Sequence, residues 1–254
     1  MDSATDPPAP DTDVAQATQL AQVHRELQGL TYAISHDLRA PVRAIVGFGQ
    51  ALKEHVGGNL DETGLHLLSR IEQSTQRLSA MIEGLLQLSR IAQAELQLAQ
   101  VDLTALCHSV AAQLCQQQTA PAPQLHIESG MRARCDPQLL RLAIQALLHN
   151  AWKFCQHRSD AAIRISAVAN ADSVILCVRD NGIGIDMRYA DRLFVPFQHL
   201  QSRTELNGVG IGLASVQRVA NRHDGTAWAE ATPQQFAAFY LSLPQASVGA
   251  ADKG

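Results

Sequence analysis

No run of the sequence approaches the ~18–20 apolar residues of a membrane span, which argues against insertion into a bilayer. The opening MDSATDPPAPDTD has neither a basic nor an apolar region, so it does not read as a secretory signal. Cysteine is sparse. Five residues, Cys107, Cys115, Cys135, Cys155 and Cys177, stand at wide spacings with no CxxC. That argues against a disulfide framework or a zinc ribbon and fits a reducing cytoplasm. An excess of basic residues is also missing. Lys and Arg number 20 against 24 Asp and Glu, a net charge of −4. Asp2, Asp6, Asp11 and Asp13 account for the difference, because no Lys or Arg precedes Arg25. A nucleic-acid binder working through a basic face is disfavoured. Aromatic residues make up only 4%, but the 46% hydrophobic content is that of a globular chain, which excludes wholesale disorder. With 254 residues, and roughly 100–200 per domain, the chain has room for one large domain or two small ones.

Residues 1–13 read as a disordered tail, with four Asp and three Pro. From Val14 to about His55, apolar residues recur at helical spacing: Leu20, Val23, Leu27, Leu30, Ile34, Leu38, Val42, Ile45, Phe48 and Leu52. A helix of that length is roughly 60 Å long and cannot be a compact domain alone. GGNLDE at Gly57–Glu62 interrupts the pattern, and a second stripe runs through Leu67, Leu68, Ile71, Leu78, Ile82, Leu85, Leu88 and Ile91. Two long helices joined by a short turn form an antiparallel hairpin. One hairpin exposes too much apolar surface, so two should pair into a four-helix bundle as a homodimer. Periodicity alone leaves a bundle without chemistry equally open.

The pattern changes near Ala99. Asp102 is placed to cap a helix reaching about Gln116, and QTAPAPQ, Gln118–Gln124, reads as a loop. Leu125–Ser129 alternates like a strand. Asp136-Pro137 is a favoured helix start, a cap followed by Pro at the first helical position, for a helix to about Cys155. Ala162–Ala169 and Ser173–Arg179 read as strands around a hairpin turn at Asn170–Asp172. Asn181–Gly208 reads as irregular, Val209–His223 as a helix, and Thr226–Glu230 and Ala237–Leu243 as closing strands. Helices and strands mix without βαβ alternation, which predicts an α+β sandwich with its helices on one face. The expected order is a tail (1–13), a helical hairpin (14–98), an α/β sandwich domain (99–244) and a second tail (245–254).

Three groups of residues concentrate chemistry. SHDLRAP, Ser35–Pro41, lies inside the first helix. His36 offers a nitrogen nucleophile. Pro41 within a helix costs ~3 kcal/mol or more and needs a reason. The second group is Asn150-Ala-Trp-Lys-Phe154, ending a helix. Asn150 and Lys153, at i and i+3, share a face. An amide oxygen for a hard cation beside an ammonium for phosphate suits a magnesium phosphate. The third is a pair of glycine clusters, DNGIGID (Asp180–Asp186) after a strand and GVGIGLA (Gly208–Ala214) opening a helix. Glycines before a helix let backbone N–H groups approach an anion. The spacing is not GxGxxG, and the P-loop Lys-Ser/Thr is missing.

Together and in this order, these residues resemble the sensor histidine kinases of two-component signalling. SHDLRAP is similar to the family's H box, ALLHNAWKF (Ala146–Phe154) to its N box, and DNGIGID to its G1 box. LFVPF (Leu193–Phe197) is similar to the F box and GVGIGLA to the G2 box. The likeness runs from about Leu20 to Leu243 and is nearest to the kinase modules of phytochrome-type kinases.

The resemblance implies a dimerisation and histidine-phosphotransfer hairpin followed by an ATP-binding domain of GHKL type, with ATP and Mg²⁺ as cofactors. His36 is then the phosphoacceptor and Asp37 orients its ring. Asn150 ligates Mg²⁺ and Lys153 meets phosphate. Asp180 reads the adenine amine, while Gly182 and Gly184 give the nucleotide room. Gly208, Gly210 and Gly212 let a lid close, anchored by Phe194 and Phe197. Four positions depart from the pattern. Ala146 stands where a second Asn is common, with His149 a substitute. Ala40 stands where a polar residue places the water of a phosphatase reaction, so weak phosphatase activity is expected. Asp224 and Phe236 stand where glycines are frequent. The implied partners are a second copy of the chain, a response-regulator receiver domain docking near Arg43, Phe48 and Gln50, and a sensor on another protein or a missing N-terminal domain, to which residues 14–30 would connect. Nucleic acid is not expected. The weighed alternatives are a dimeric phosphotransfer or docking scaffold with a degenerate nucleotide site, and another GHKL-type ATPase.

Overall fold

In the computed structural model, residues 12–56, 58, 60–117, 122–198 and 208–245 are described. Residues 1–11 and 246–254 of the tails expected over 1–13 and 245–254, the hairpin-turn residues Gly57 and Asn59, and most of the Gln118–Gln124 loop lie outside them. So do the side chains of Leu20, Val23, Leu27 and Leu30.

The chain divides into two compact units, residues 1–89 and 90–254. The first is built on α1 (Thr12–Val56) and α2 (Glu62–Gln93). Asp61 accepts from the Gly64 amide at 2.8 Å, capping the start of α2. Val42 on α1 meets Ile82 and Leu86 on α2 in a small buried cluster. Two cross-helix ion pairs, Arg39–Glu83 at 3.0 Å and Lys53–Glu72 at 2.9 Å, hold the register. Both are largely exposed and contribute at most about 1 kcal/mol each. Ile34, Leu38, Ile45, Phe48, Leu52, Leu67, Ile71 and Leu78 stay exposed, Phe48 to 76%.

The second unit contains β1 (Ala99–Asp102), α3 (Leu103–Gln117), β2 (Gln124–Ile127), β3 (Arg132–Cys135), α4 (Pro137–Cys155), β4 (Ala162–Ala169), β5 (Ser173–Asp180), α5 (Gly212–Arg222), β6 (Ala227–Thr232) and β7 (Phe236–Pro244). Five strands form a mixed sheet in the order β2-β4-β5-β7-β6, parallel only between β2 and β4. Alternate residues of the central strands (Ile163 and Ile165, Leu176 and Val178, Phe239 and Leu241) point to one face and are fully buried. The apolar faces of α3, α4 and α5 cover that face, giving the expected two-layer sandwich.

Several expectations shift. A small antiparallel pair, β1 with β3, occupies stretches to which the sequence pattern assigned no strand. Helix α5 begins at Gly212, not Val209, because Gly208 and Gly210 carry positive φ. Thr12 and Asp13 belong to α1 and not to a tail. Gln245 is tied down as well: its amide donates to the Asp172 carbonyl, and its Oε1 accepts from the Arg134 amide at 2.8 Å. Asp102 caps α3 as expected, accepting from the Ala105 amide at 2.9 Å. Asp224 adopts φ of 55°, the left-handed conformation in which Asp is tolerated and glycine is at ease, just past the end of α5.

Candidate active site

His36 and Asp37 lie on α1. The side chains are 65% and 85% exposed, and His36 Nδ1 is 3.3 Å from Asp37 Oδ1. Neighbours on a helix point about 100° apart, so this contact requires Asp37 to reach sideways, and it does. Pro41 lacks the N–H that would bond the Asp37 carbonyl four residues back. The helix nevertheless runs on through it.

The remaining candidates gather in the second unit. Helix α4 is fixed at its start by Asp136, whose carboxylate accepts from the amides of Gln138 and Leu139 at 2.9 and 3.0 Å. Its buried stripe packs on the sheet and leaves Ala146, His149, Asn150 and Lys153 on the opposite side. Strand β5 ends at Asp180, which is 2% exposed. Its Oδ1 accepts from the Gly182 amide at 2.8 Å. Burial pushes its pKa up to about 6, against the pull of that hydrogen bond.

Two glycines here have no substitute. A Cβ on Gly182 would collide with the Phe154 carbonyl and come within 2.7 Å of Asp180 Oδ1. Gly184 has φ of 64°, and a Cβ there would strike the Thr232 carbonyl. The glycine turn is thus pressed between the end of α4 and strand β6. Asn181, a residue the sequence reading passed over, braces it. Its Oδ1 accepts from the Ala162 amide at 2.9 Å and its Nδ2 donates to the Asp160 carbonyl at 2.7 Å.

The second glycine cluster runs along α4. A Cβ on Gly208 would lie 3.5 Å from Lys153 Nζ, and one on Gly212 would lie 3.6 Å from the Ala146 Cβ. The small side chain at Ala146 is therefore what the start of α5 rests against. Desolvation lowers the pKa of Lys153. It also lowers that of His149, with the nearby Lys153 charge adding to the effect. Phe194 packs on the core. Phe197 has φ of 64°, and its amide donates to the Gly210 carbonyl at 2.9 Å, joining the Phe segment to the second glycine cluster.

The structure thus brings Asn150, Lys153, Asp180, Gly182, Gly184, Phe194, Phe197, Gly208, Gly210 and Gly212 into one unit, and places His36 and Asp37 on the other. Among the described residues, no group of three or more His, Cys, Asp or Glu side chains could hold a metal.

A helical hairpin with an exposed histidine, followed by a two-layer sandwich with an acid and two glycine turns at one edge, is the architecture of a histidine-kinase transmitter. Two family profiles agree. Residues 26–94 match the His Kinase A (phospho-acceptor) domain. Residues 135–247 match the histidine kinase-, DNA gyrase B- and HSP90-like ATPase domain. Related proteins include the phytochrome-like protein Cph1 of Synechocystis, 29% identical over 236 residues, covering 90% of this chain and 31% of that protein. Cyanobacterial phytochrome A of Nostoc is 31% identical over 247 residues, with coverage of 90% and 31%. Among solved structures, full-length ShkA in complex with AMPPNP has a TM-score of 0.63 at 24% identity, covering 87% of this chain and 47% of that one. The Acinetobacter baumannii histidine kinase AdeS has a TM-score of 0.57 at 24% identity, covering 84% and 98%. These two show the shared fold. The chain carries the phospho-acceptor domain and the ATPase domain found in histidine kinases. It spans about a third of the length of the phytochromes it matches.

Proposed function

We propose that the chain is an ATP-dependent protein-histidine kinase that phosphorylates itself on His36 and passes the phosphoryl group to an Asp of a response regulator. The observation that carries this reading is an exposed, Asp-paired histidine on a helical hairpin in a chain that also matches the GHKL-type ATPase domain. With Nδ1–H donated to Asp37, Nε2 carries the lone pair. It bonds to the γ-phosphorus of ATP as the bond to the β,γ-bridging oxygen breaks and ADP leaves. The Nδ1 proton stays shared with the Asp37 carboxylate, which balances the charge growing on the ring.

Phosphoryl transfer depends mostly on positioning and charge neutralisation. Lys153 meets phosphate and Asp180 accepts from the adenine amine, while Gly182 and Gly184 let their turn pack on the Phe154 and Thr232 carbonyls and Gly208, Gly210 and Gly212 shape the segment that faces the phosphates. Phe194 and Phe197 anchor the segment between them. Mg²⁺, bound by the phosphates and Asn150, would supply the remaining charge neutralisation. The AMPPNP complex of ShkA, which shares the fold, supports a nucleotide in this cleft.

The exposed apolar stripe of the hairpin, Phe48 included, supports a homodimer, and the exposed Arg43 and Gln50 suit a receiver-domain surface. Ala40, exposed and without a polar atom, fits weak phosphatase activity. The partial span of its relatives fits input from a sensor domain or a separate sensor protein. No helix among the described residues is long and apolar enough to cross a membrane.

The test is autophosphorylation with γ-labelled ATP and Mg²⁺, comparing wild type with His36→Gln. Acid-labile, base-stable label that disappears in the variant is expected. Absent label with nucleotide still bound points to a kinase needing its input. Absent label without nucleotide binding favours the docking scaffold, and Ala146→Asn is then the first variant to make.

A further inference from the structure

The two helices that line the nucleotide cleft each have a far end, and both far ends hold the same short stretch of chain. Helix α4 presents Asn150 and Lys153 near its C-terminus and begins, at the other end, on Asp136. Helix α5 opens on Gly212 at the cleft and finishes on Arg222 and His223. The segment that leaves α2 runs past both of those outer ends. Ile91, in the last turn of α2, is 1% exposed within the sandwich core, and Ala94 and Leu96 pack against that core. The Ala94 carbonyl accepts from Arg222 Nη2. The Gln97 amide donates to Asp136 Oδ2 at 2.9 Å.

These anchors are cross-linked. The Asp136 amide donates to His223 Nε2 at 2.9 Å, and His223 Nδ1 lies 2.8 Å from the Val219 carbonyl. Nδ1 must then carry the proton and Nε2 must accept, so the imidazole is neutral in this arrangement. Asp136 and His223 are 5% and 7% exposed. Desolvation pushes the Asp136 carboxyl up, but the amides of Gln97, Leu139 and Gln138 outweigh it and hold the group below its ordinary pKa.

Arg222 is the informative member. Its Nε is buried without a hydrogen-bond partner among the described residues. An unmatched buried N–H is destabilising, and a methionine would cover the same surface without it. What the arginine supplies that methionine cannot is the bond to the Ala94 carbonyl.

We propose that Arg222 and Asp136 are positioning residues for phosphoryl transfer, fastening the chain that leaves α2 to the outer ends of the two cleft helices. The inference rests on the kinase reading above. Transfer requires His36 on one unit to meet a γ-phosphate held by the other. The frequency of that encounter is an effective concentration, set by the length and stiffness of the tether between the units. With both anchors made, Ala94 and Gln97 are held on the sandwich. With them broken, the residues from Ala94 to Leu98, before β1 begins at Ala99, become a flexible link, and the effective concentration falls with its length. Nucleotide affinity depends on the inner ends of α4 and α5 and is untouched.

The experiment compares wild type, Arg222→Met and Arg222→Lys in the full chain. In Arg222→Met, amide exchange over Ala94–Leu98 is expected to speed up by about tenfold. The rate of His36 labelling at saturating ATP is expected to fall roughly fivefold or more, with nucleotide Kd within about twofold of wild type. Arg222→Lys, which keeps a donor for Ala94, should recover most of the rate. An unchanged rate in Arg222→Met, or a rate that falls only in step with nucleotide affinity, overturns the proposal. A wild type that neither takes label nor binds nucleotide counts against the kinase reading instead. The exchange measurement then still decides the fastening, and unchanged exchange over Ala94–Leu98 overturns it.

Discussion

Asp180 shows at the scale of one residue how a buried carboxyl is kept at a cost to the fold. Buried at the end of β5, its carboxyl has a pKa of about 6 in place of 3.8. A carboxyl whose folded value is raised stabilises the fold only where it is protonated. That contribution is full below about 4 and is lost as the pH rises through about 6. At pH 8 the charged, desolvated group opposes folding by about 2–3 kcal/mol, at 1.36 kcal/mol per pK unit. Asp180→Asn keeps an oxygen for the Gly182 amide and removes the charge. The variant should therefore melt higher than wild type at pH 8, with the gap closing toward pH 4, while its affinity for ATP drops by roughly tenfold or more. Calorimetry across that range, with nucleotide titrations alongside, checks both halves. Equal melting and equal affinity would remove Asp180 from the adenine-reading role. The Asp was legible in the sequence as part of DNGIGID. Its burial was not, because that depends on the Phe154 carbonyl and strand β6 closing over the glycine turn.

At the scale of elements, α4 was the most legible, and the reason is local. Asp136-Pro137 announces its start, the apolar spacing carries it to Cys155, and both ends agree with the structure. The Asp136 side chain accepts from two amides of α4 and from that of Gln97. Asp136→Ala should accordingly cost about 2 kcal/mol or more, at the upper end for a helix cap, read as a lower urea midpoint at neutral pH. Because the carboxyl is held below its ordinary pKa, the difference should shrink as pH falls through that lowered value. Strands β1 and β3 were not legible. Each has four residues, and they pair only with each other, Ala99 with Cys135 through Asp102 with Arg132. Segments that short carry almost no periodicity, and their pairing partner lies some thirty residues away in sequence. Helix α5 was read three residues too long at its start, because Val209 and Ile211 continue the apolar pattern while the backbone at Gly210 turns left-handed at φ of 75°.

For the whole molecule, the exposed apolar stripe of the hairpin leads to a prediction about assembly. Ile34, Leu38, Ile45, Phe48, Leu52, Leu67, Ile71 and Leu78 are each more than two-fifths exposed. A contiguous stripe of that kind is more than a soluble monomer usually leaves open. Two hairpins packing face to face would bury it in a four-helix bundle. Light scattering at micromolar concentration should give about twice the 27.5 kDa chain mass. Phe48→Glu with Ile45→Glu should shift the protein toward monomer without unfolding the sandwich, whose core is separate. A monomeric wild type would reject the stripe as a dimer seam.

The sequence by itself determined what is local or carried by motif order. It determined the two long helices from their spacing, the capped α4 from Asp136-Pro137, and the histidine-kinase kinship from His36, Asn150, Asp180 and two glycine clusters in fixed succession. Each of those signals lies within a few turns of chain, where propensity and spacing act. Only the tertiary structure decided which residues those elements press together. It placed Gly212 against Ala146 and Asp180 beneath the turn at Gly182. It also brought Arg222 and Asp136 to the chain leaving α2, across separations of 128 and 39 residues. Contacts at such distances are set by how whole faces pack, and packing leaves no periodic trace in the residues it joins.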